Sequence, residues 1–409
     1  MVKKGLGGYF ETFLSRDSLF ADKKAMQVSF VPDQITHRDE QINQIAEILA
    51  PSLKLEKPSN LFIYGKTGTG KTLSVKYTTD QILEVAEENK IPIKTIYINC
   101  KLKRVADTEY RLIAEIARRL GKTIPATGLP TDEVYNVFYK ALEEEELMLV
   151  LVLDEIDQLI NKTGDDVIYN LSRINSELKQ SQISLIGISN DLMFANHIDP
   201  RVKSSLSEEE IIFPPYNALQ IQDILRKRCD HAFKPDKIGD GVIAKCAAYA
   251  AREHGDARRA IDLLRVAGEL AERQKEEKVE ISHIDMAEEK IERERIVDVV
   301  KTQPKQFQAT LFAIFSLLNN TKVKNKKRSI FTGDVYDIYK ERCPDMGLRP
   351  ITQRRISDII AELDMLGLIN AKVISKGRFG RTREIQLAIP THLLQKVYHL
   401  LAQELGVDV

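Results

Sequence analysis

The residues best suited to chemistry lie in two short stretches. Gly65-Lys66-Thr67-Gly68-Thr69-Gly70-Lys71-Thr72 follows the apolar run Leu61-Phe62-Ile63-Tyr64, and Leu147 to Leu153 form a second apolar run that ends in Asp154-Glu155. A glycine-rich turn after a strand points its backbone N–H groups at an anion, its lysine reaches the β- and γ-phosphates, and the hydroxyl that follows ligates Mg²⁺. Gly65, Thr67, Gly68, Thr69 and Gly70 form the cradle in this reading, with Lys71 on the phosphates and Thr72 on the metal. The helical composition of Thr72 to Glu88 aims a positive dipole end at the same anion. Asp154, at a strand end, is expected to hold the magnesium, and Glu155 to orient or deprotonate a water. A glycine pattern alone also arises as an ordinary turn. The strand–turn–helix context and the Asp-Glu strand end together imply hydrolysis of ATP to ADP with Mg²⁺.

Three more segments carry groups of the right type. Gly187-Ile188-Ser189-Asn190 ends another apolar strand on an amide, so Asn190 can position the attacking water, although asparagine is also common in turns. Arg201 lies in Asp199-Pro200-Arg201-Val202-Lys203-Ser204-Ser205, and Arg258 lies in Gly255-Asp256-Ala257-Arg258-Arg259, which opens a helix. An arginine fork donates two parallel hydrogen bonds to phosphate and stays charged. For an arginine at a helix start, the plainer reading is a solvated surface charge.

Such residues need a sheet to bring them together. Strands are expected at Leu61–Tyr64, Thr95–Asn99, Leu147–Asp154, Ile183–Ser189 and Glu210–Phe213. Helical patterns fall at Asp39–Leu49, Thr72–Glu88, Thr108–Leu120, Asp132–Glu145 and Asp165–Lys179. Strand and helix alternate and the strands are almost continuously apolar, which argues an α/β fold with a parallel sheet covered on both faces. After Pro214-Pro215 the strand signals stop: Ala218–His231, Ile238–Glu253, Asp256–Gln274 and Ser282–Arg295 read as an all-α domain. Residues 1 to about 30 show no sustained periodicity and read as an arm, and Pro304 reads as a linker. The expected domains are therefore 1–30, 31–214, 215–300 and 301–409.

Composition agrees with two or three soluble domains: 409 residues, 43% hydrophobic and 29% charged. No apolar stretch approaches the ~18 residues that cross a bilayer, and the N-terminus lacks a signal-peptide core. The expectation is a cytoplasmic protein with no membrane partner. The cysteines Cys100, Cys229, Cys246 and Cys343 lack Cys-x-x-Cys spacing and read as reduced core residues. Net charge is zero, but its distribution is uneven. From Lys301 onward there are 18 Lys and Arg against 10 Asp and Glu, and in the remainder 42 against 50. This asymmetry suggests an anion-binding module joined to an acidic one.

In that basic part, Gln308–Leu318, Gly333–Arg342 and Gln353–Leu366 read as helices, and Ala371–Ser375 and Glu384–Ile389 as strands around Lys376-Gly377-Arg378-Phe379-Gly380-Arg381-Thr382-Arg383. Three helices and a basic hairpin describe a winged helix. In the third helix Ile356, Ile359, Ile360, Leu363 and Leu366 make one apolar face, Thr352 is the N-cap and Gly367 the stop. Arg354 then points away from that face and Arg355 lies on its flank. A recognition helix presents its N-terminal residues to the major groove of double-stranded DNA, so both arginines are candidate contacts. Lys376, Arg378, Arg381 and Arg383 are candidates for phosphate or minor-groove contact from the wing.

Taken in order, the glycine-rich turn, Asp-Glu strand end, strand-terminal Asn, pre-strand Arg and Gly-Asp-x-Arg helix resemble the AAA+ ATPases. Over essentially the whole chain the sequence is most similar to the archaeal origin-recognition-complex and cell-division-control family of replication initiators. The specific stretches are Val31-Pro32-Asp33-Gln34-Ile35-Thr36-His37-Arg38-Asp39-Glu40, Asp199 to Leu206, Gly255 to Ala260 and Pro350 to Arg383. The resemblance implies a P-loop α/β domain, an all-α lid and a C-terminal winged helix. It implies that Arg258 is the sensor arginine of the lid, that Arg201 is a finger presented to a neighbouring subunit, and that Val31 to Arg38 line the adenine side.

Tyr216 and Arg228 resemble further nucleotide contacts, with a core tyrosine and a solvated helix charge as the alternative. The family's extra helix after the second strand corresponds to Lys101 to Leu120, where Lys103, Arg104 and Arg111 could meet DNA; a solvated amphipathic helix explains those charges almost as well. The implied function is binding of duplex DNA at a replication origin, with ATP as a conformational switch and with other initiator subunits and the replicative helicase as partners. It would place the protein at the nucleoid. A transcription regulator that keeps ATP as structural glue is the alternative. A threading motor is disfavoured, because no aromatic-hydrophobic-glycine pore loop stands in the expected region.

Overall fold

The computed structural model describes residues 17–27, 30–32, 34–101, 106–125, 128–144, 146–194, 199–206, 208–253, 255–323, 329–375 and 381–407. It divides into two compact units, Met1–Ile284 and Asp285–Val409.

The first unit begins with α1 (Asp39–Leu49), β1 (Leu61–Gly65), α2 (Lys71–Asn89), β2 (Ile93–Asn99), α3 (Glu109–Arg119), α4 (Thr131–Glu143) and β3 (Met148–Asp154). It continues with α5 (Ile156–Thr163), α6 (Asp166–Arg173), β4 (Gln182–Ser189), α7 (Pro200–Leu206) and β5 (Glu209–Phe213). The five strands form one parallel sheet in the order β2-β3-β4-β1-β5. In β3 side chains alternate between the two faces, although the strand is apolar at every position up to Asp154. Leu149, Leu151 and Leu153 of β3 join the core under α3, α4 and α6, and Val150 and Val152 join the opposite core with Ile45 of α1 and Val75 of α2. A strand buried on both faces needs this continuous apolar run, and each such side chain contributes ~1.5–3 kcal/mol by leaving water.

Three more helices complete the unit: α8 (Ala218–Ala232), α9 (Val242–Arg252) and α10 (Ala257–Gln274). A capping box between Asn217 and Gln220 starts α8, and Asp256 caps α10. Ile238, expected to be helical, instead makes a parallel bridge to Val279. The expected arm also differs over residues 17–27. The Ala21 N–H donates to Ala232 O at 2.9 Å, Phe20 bridges to Phe233, and Lys23 pairs with Glu269 at 2.9 Å. Gly268 in mid-α10 leaves the space for the Phe20 ring, whose tip would lie 2.5 Å from a Cβ there. No periodic pattern marks this segment, because its contacts are side chains and backbone reaching out from α8 and α10.

Helix α11 (Ile281–Thr302) runs further than the sequence suggested, and Pro304 falls between it and α12 (Lys305–Val323). In the second unit follow β6 (Ile330–Phe331), α13 (Thr332–Arg342), α14 (Gln353–Met365), β7 (Ile369–Ser375), β8 (Arg381–Leu387) and α15 (Leu394–Leu405). The strands pair antiparallel in the order β6-β8-β7. The expected apolar face of α14 is buried at Ile356, Ile359, Ile360 and Leu363, and Thr352 caps the helix. The four cysteines of the chain are all buried. Among the described residues no helix is long and apolar enough to cross a membrane.

Candidate nucleotide site and nucleic-acid face

A cavity of about 780 Å³ opens at the carboxyl ends of β1 and β3, where loops leave the sheet. The turn after β1 forms its floor. Gly68 and Gly70 have φ of +73° and +91°, the left-handed region that suits glycine. Space excludes other residues too: a Cβ on Gly68 would meet Asp256 Oδ1 at 1.7 Å, and one on Gly70 would meet the Tyr216 hydroxyl at 2.8 Å. The turn is therefore pressed against the start of α10, where Ala257 N–H donates to Gly68 O at 3.3 Å.

Lys71 is only 4% exposed. Its ammonium donates to Gly65 O at 2.7 Å, Lys66 O at 2.8 Å and Asn190 Oδ1 at 2.9 Å. Burial pulls its pKa down to about 8 against the opposing pull of Asp154. Lys71, expected on the phosphates, and Asn190, expected to position the water, are thus in direct contact, although 119 residues separate them in sequence.

Thr72 and Asp154 also meet, with Thr72 Oγ1 donating to Asp154 Oδ2 at 2.9 Å. The same Oδ2 accepts the Tyr97 phenol, and Oδ1 accepts the Glu155 N–H at 2.9 Å. All three donors are neutral, so none of these partners is a cation, and the side chain is 5% exposed. An alcohol and a carboxylate are hard oxygen ligands, and this pair at a phosphate cradle fits Mg²⁺. Glu155 sits at φ +55°, an uncommon conformation for a residue with a Cβ. Its carboxylate accepts from Asn99 Nδ2 at 3.4 Å and lies 3.7 Å from the Lys101 ammonium. Tyr97 and Asn99 were missed in the sequence. Both come from β2, and the register that pairs Asn99 with Asp154 was the only signal that could have found them.

Val31, Thr69, Tyr216, Arg228 and Arg258 line the rest of the cavity. Arg38 does not line it but is buried behind it. Its guanidinium donates to Thr69 O at 2.8 Å and Pro214 O at 2.5 Å, and stacks on Tyr216 at 3.9 Å, which ties the turn to the segment after β5. Arg228 lines the cavity but spends its hydrogen bonds on Ala25 O at 2.9 Å and Phe30 O at 3.1 Å. It is neither a solvated charge nor free to reach outward. Gly65 sits where a Cβ would meet Phe213 O at 2.5 Å, so it serves packing, and Thr67 is exposed. Arg201 lies outside the cavity, exposed, in a two-pronged pair with Asp199 at 3.1 and 3.0 Å.

The DNA candidates are placed differently. Arg354 and Arg355 are exposed on α14; Arg355 pairs with Glu362 at 3.5 Å, while Arg354 makes no hydrogen bond or ion pair among the described residues. Arg383 requires a correction. It is not in the hairpin tip but within β8, because the strand begins at Arg381. Its guanidinium donates to Ser357 O and to Ser357 Oγ at 3.0 Å, fastening the strand to α14. Arg111 is exposed and 3.4 Å from Asp107. Lys103, Arg104, Lys376 and Arg378 lie outside the described residues, as does the side chain of Arg381.

A phosphate cradle and an Asp-Glu strand end on this parallel sheet, a helical cap whose first turn touches the cradle, and a winged helix together define an AAA+ ATPase carrying a winged-helix domain. Family models agree. The AAA domain matches residues 55–192, the Cdc6 AAA+ ATPase-type lid domain 222–289, and the CDC6 C-terminal winged helix domain 298–407. The chain is 50% identical to the ORC1-type DNA replication protein of Pyrococcus abyssi, over 95% of this chain and 92% of that protein. It is 48% identical to ORC1-type DNA replication protein 1 of Methanosarcina mazei, over 97% and 94%. The solved structure of the Aeropyrum pernix ORC1 protein in complex with DNA matches at a TM-score of 0.80 and 42% identity, over 95% and 98% of the two chains. The chain belongs to the ORC1-type DNA replication protein family.

Proposed function

We propose that this chain initiates DNA replication: it binds duplex DNA at an origin and uses binding and slow hydrolysis of Mg-ATP as a conformational switch. The observation that carries the reading is the convergence of Lys71, Asn190, Thr72, Asp154 and Arg258 on one cavity, in a chain that also has the Cdc6-type winged helix. The similarity to a protein solved on DNA supports the nucleic-acid half.

In this reading Lys71 exchanges its carbonyl partners for phosphate oxygens, and Asn190 turns its amide to the attacking water. Thr72 and Asp154 would hold the magnesium, which would supply charge neutralisation at the phosphate oxygens. Glu155 accepts the proton of the water. Arg258 sits in the first turn of α10, beside the contact of Asp256 with Gly68, so the presence of a γ-phosphate is felt by the helical cap. Arg201, exposed and outside its own cavity, serves a neighbouring initiator subunit. Arg354, Arg355, Lys376, Arg378 and Arg381 contact DNA from the winged helix, with Lys103, Arg104 and Arg111 adding contacts from the first unit. Recruitment of the replicative helicase completes the role.

Footprinting on chromosomal fragments with ATP and with ADP tests this. Protection at a few sites, with a pattern that changes with the nucleotide, is expected. Occupancy spread over many promoters and indifferent to nucleotide would sink it in favour of a transcription regulator.

A further inference from the structure

We infer that Tyr97 is a positioning residue for the metal-binding carboxylate, acting through its hydroxyl on Asp154. This rests on the assignment of Thr72 and Asp154 to magnesium. The geometry isolates the phenol's task. Asp154 Oδ1 is fixed by the amide of the next residue, Glu155, at 2.9 Å, whereas Oδ2 accepts two side-chain hydroxyls, from Thr72 at 2.9 Å and from Tyr97. The Thr72 oxygen is itself a metal ligand in this assignment, so its position answers to the metal as well as to Oδ2. Tyr97 has no such second duty. Its hydroxyl is the donor that can stay on Oδ2 throughout and hold the plane of the carboxylate.

The ring is built into place for that. It lines the nucleotide cavity on one side and a cleft of about 310 Å³ between α2 and β2 on the other. The Lys76 ammonium lies over its face at 4.1 Å, and Arg119 donates to its backbone carbonyl at 2.5 Å. Outer-shell donors of this kind orient a ligand without touching the metal.

The test compares the full-length protein with its Tyr97→Phe variant, which removes one oxygen and keeps the ring. Binding of a fluorescent ADP analogue is followed in EDTA and across a Mg²⁺ series. For Tyr97→Phe the half-saturating Mg²⁺ is expected to rise about tenfold, with ADP affinity in EDTA changed less than about twofold. A Mg²⁺ requirement equal to that of the wild type overturns the inference. Loss of affinity in EDTA in parallel with the Mg²⁺ effect also overturns it, because the hydroxyl would then support the whole pocket. If wild-type binding itself ignores Mg²⁺, the metal assignment falls and this inference falls with it.

Discussion

The nucleotide pocket and the recognition helix use the same kind of side chain in opposite ways. In the pocket Lys71 and Arg228, and behind it Arg38, are buried, and each donates to two or more protein oxygens. On α14 Arg354 and Arg355 face solvent, and only Arg355 has an ion-pair partner among the described residues. A buried cation must have its donors satisfied before any ligand arrives, so pocket geometry is fixed in advance and one substitution disturbs several contacts. A solvated cation is independent of its neighbours and contributes by addition, one phosphate or base at a time.

The contrast is sharpest at Glu155. Glu155→Gln keeps the shape of the strand end but removes the proton acceptor, so turnover should fall by about 10²–10⁴-fold with ATP affinity unchanged. Normal turnover in a phosphate-release assay would show that Glu155 is not the base. Lys71→Ala should reduce ATP affinity by about 100-fold, the worth of two charge-assisted hydrogen bonds of roughly 1.5 kcal/mol each. Calorimetry showing a change of less than fivefold would break the idea of a preorganised pocket.

On the exposed side, Arg354→Ala should weaken duplex binding about tenfold and leave both thermal stability and ATP binding as they were. Arg383→Ala should behave unlike it, lowering the melting temperature because the link from β8 to Ser357 is lost. If the two variants cannot be told apart by melting and gel retardation, the distinction between fastening and reading arginines fails. The smallest effect belongs to the cap: Thr352→Ala should destabilise the winged helix by about 1 kcal/mol, readable in a denaturant titration.

The same contrast governs what could be read from the sequence. Strand β3 was expected at Leu147–Asp154 and spans Met148–Asp154, and α1 was expected and found at Asp39–Leu49. Continuous apolar runs and local periodicity are strong signals. Lys71, Thr72 and Asp154 were legible because motif spacing fixes their roles, and the structure joins Lys71 to Asn190 and Thr72 to Asp154. Short α5 and α7 escaped, because eight and seven residues offer barely two turns of pattern. Tyr97 and Asn99 escaped for a deeper reason: their partner Asp154 lies on the neighbouring strand, and only pairing brings them together. Arg383 was misplaced because a basic hairpin looks the same from tip to strand in one dimension.

The fit of Phe20 over Gly268 has a practical corollary. A glycine inside a helix is less favourable than alanine by roughly 1 kcal/mol, and at buried Gly268 that concession opens a socket for the Phe20 ring. Shortened versions made for labelling or crystallisation should start upstream of Asp17, since trimming past Phe20 would leave a hydrophobic hole on the helical cap. Filling it by Gly268→Ala would close the socket to the Phe20 ring itself.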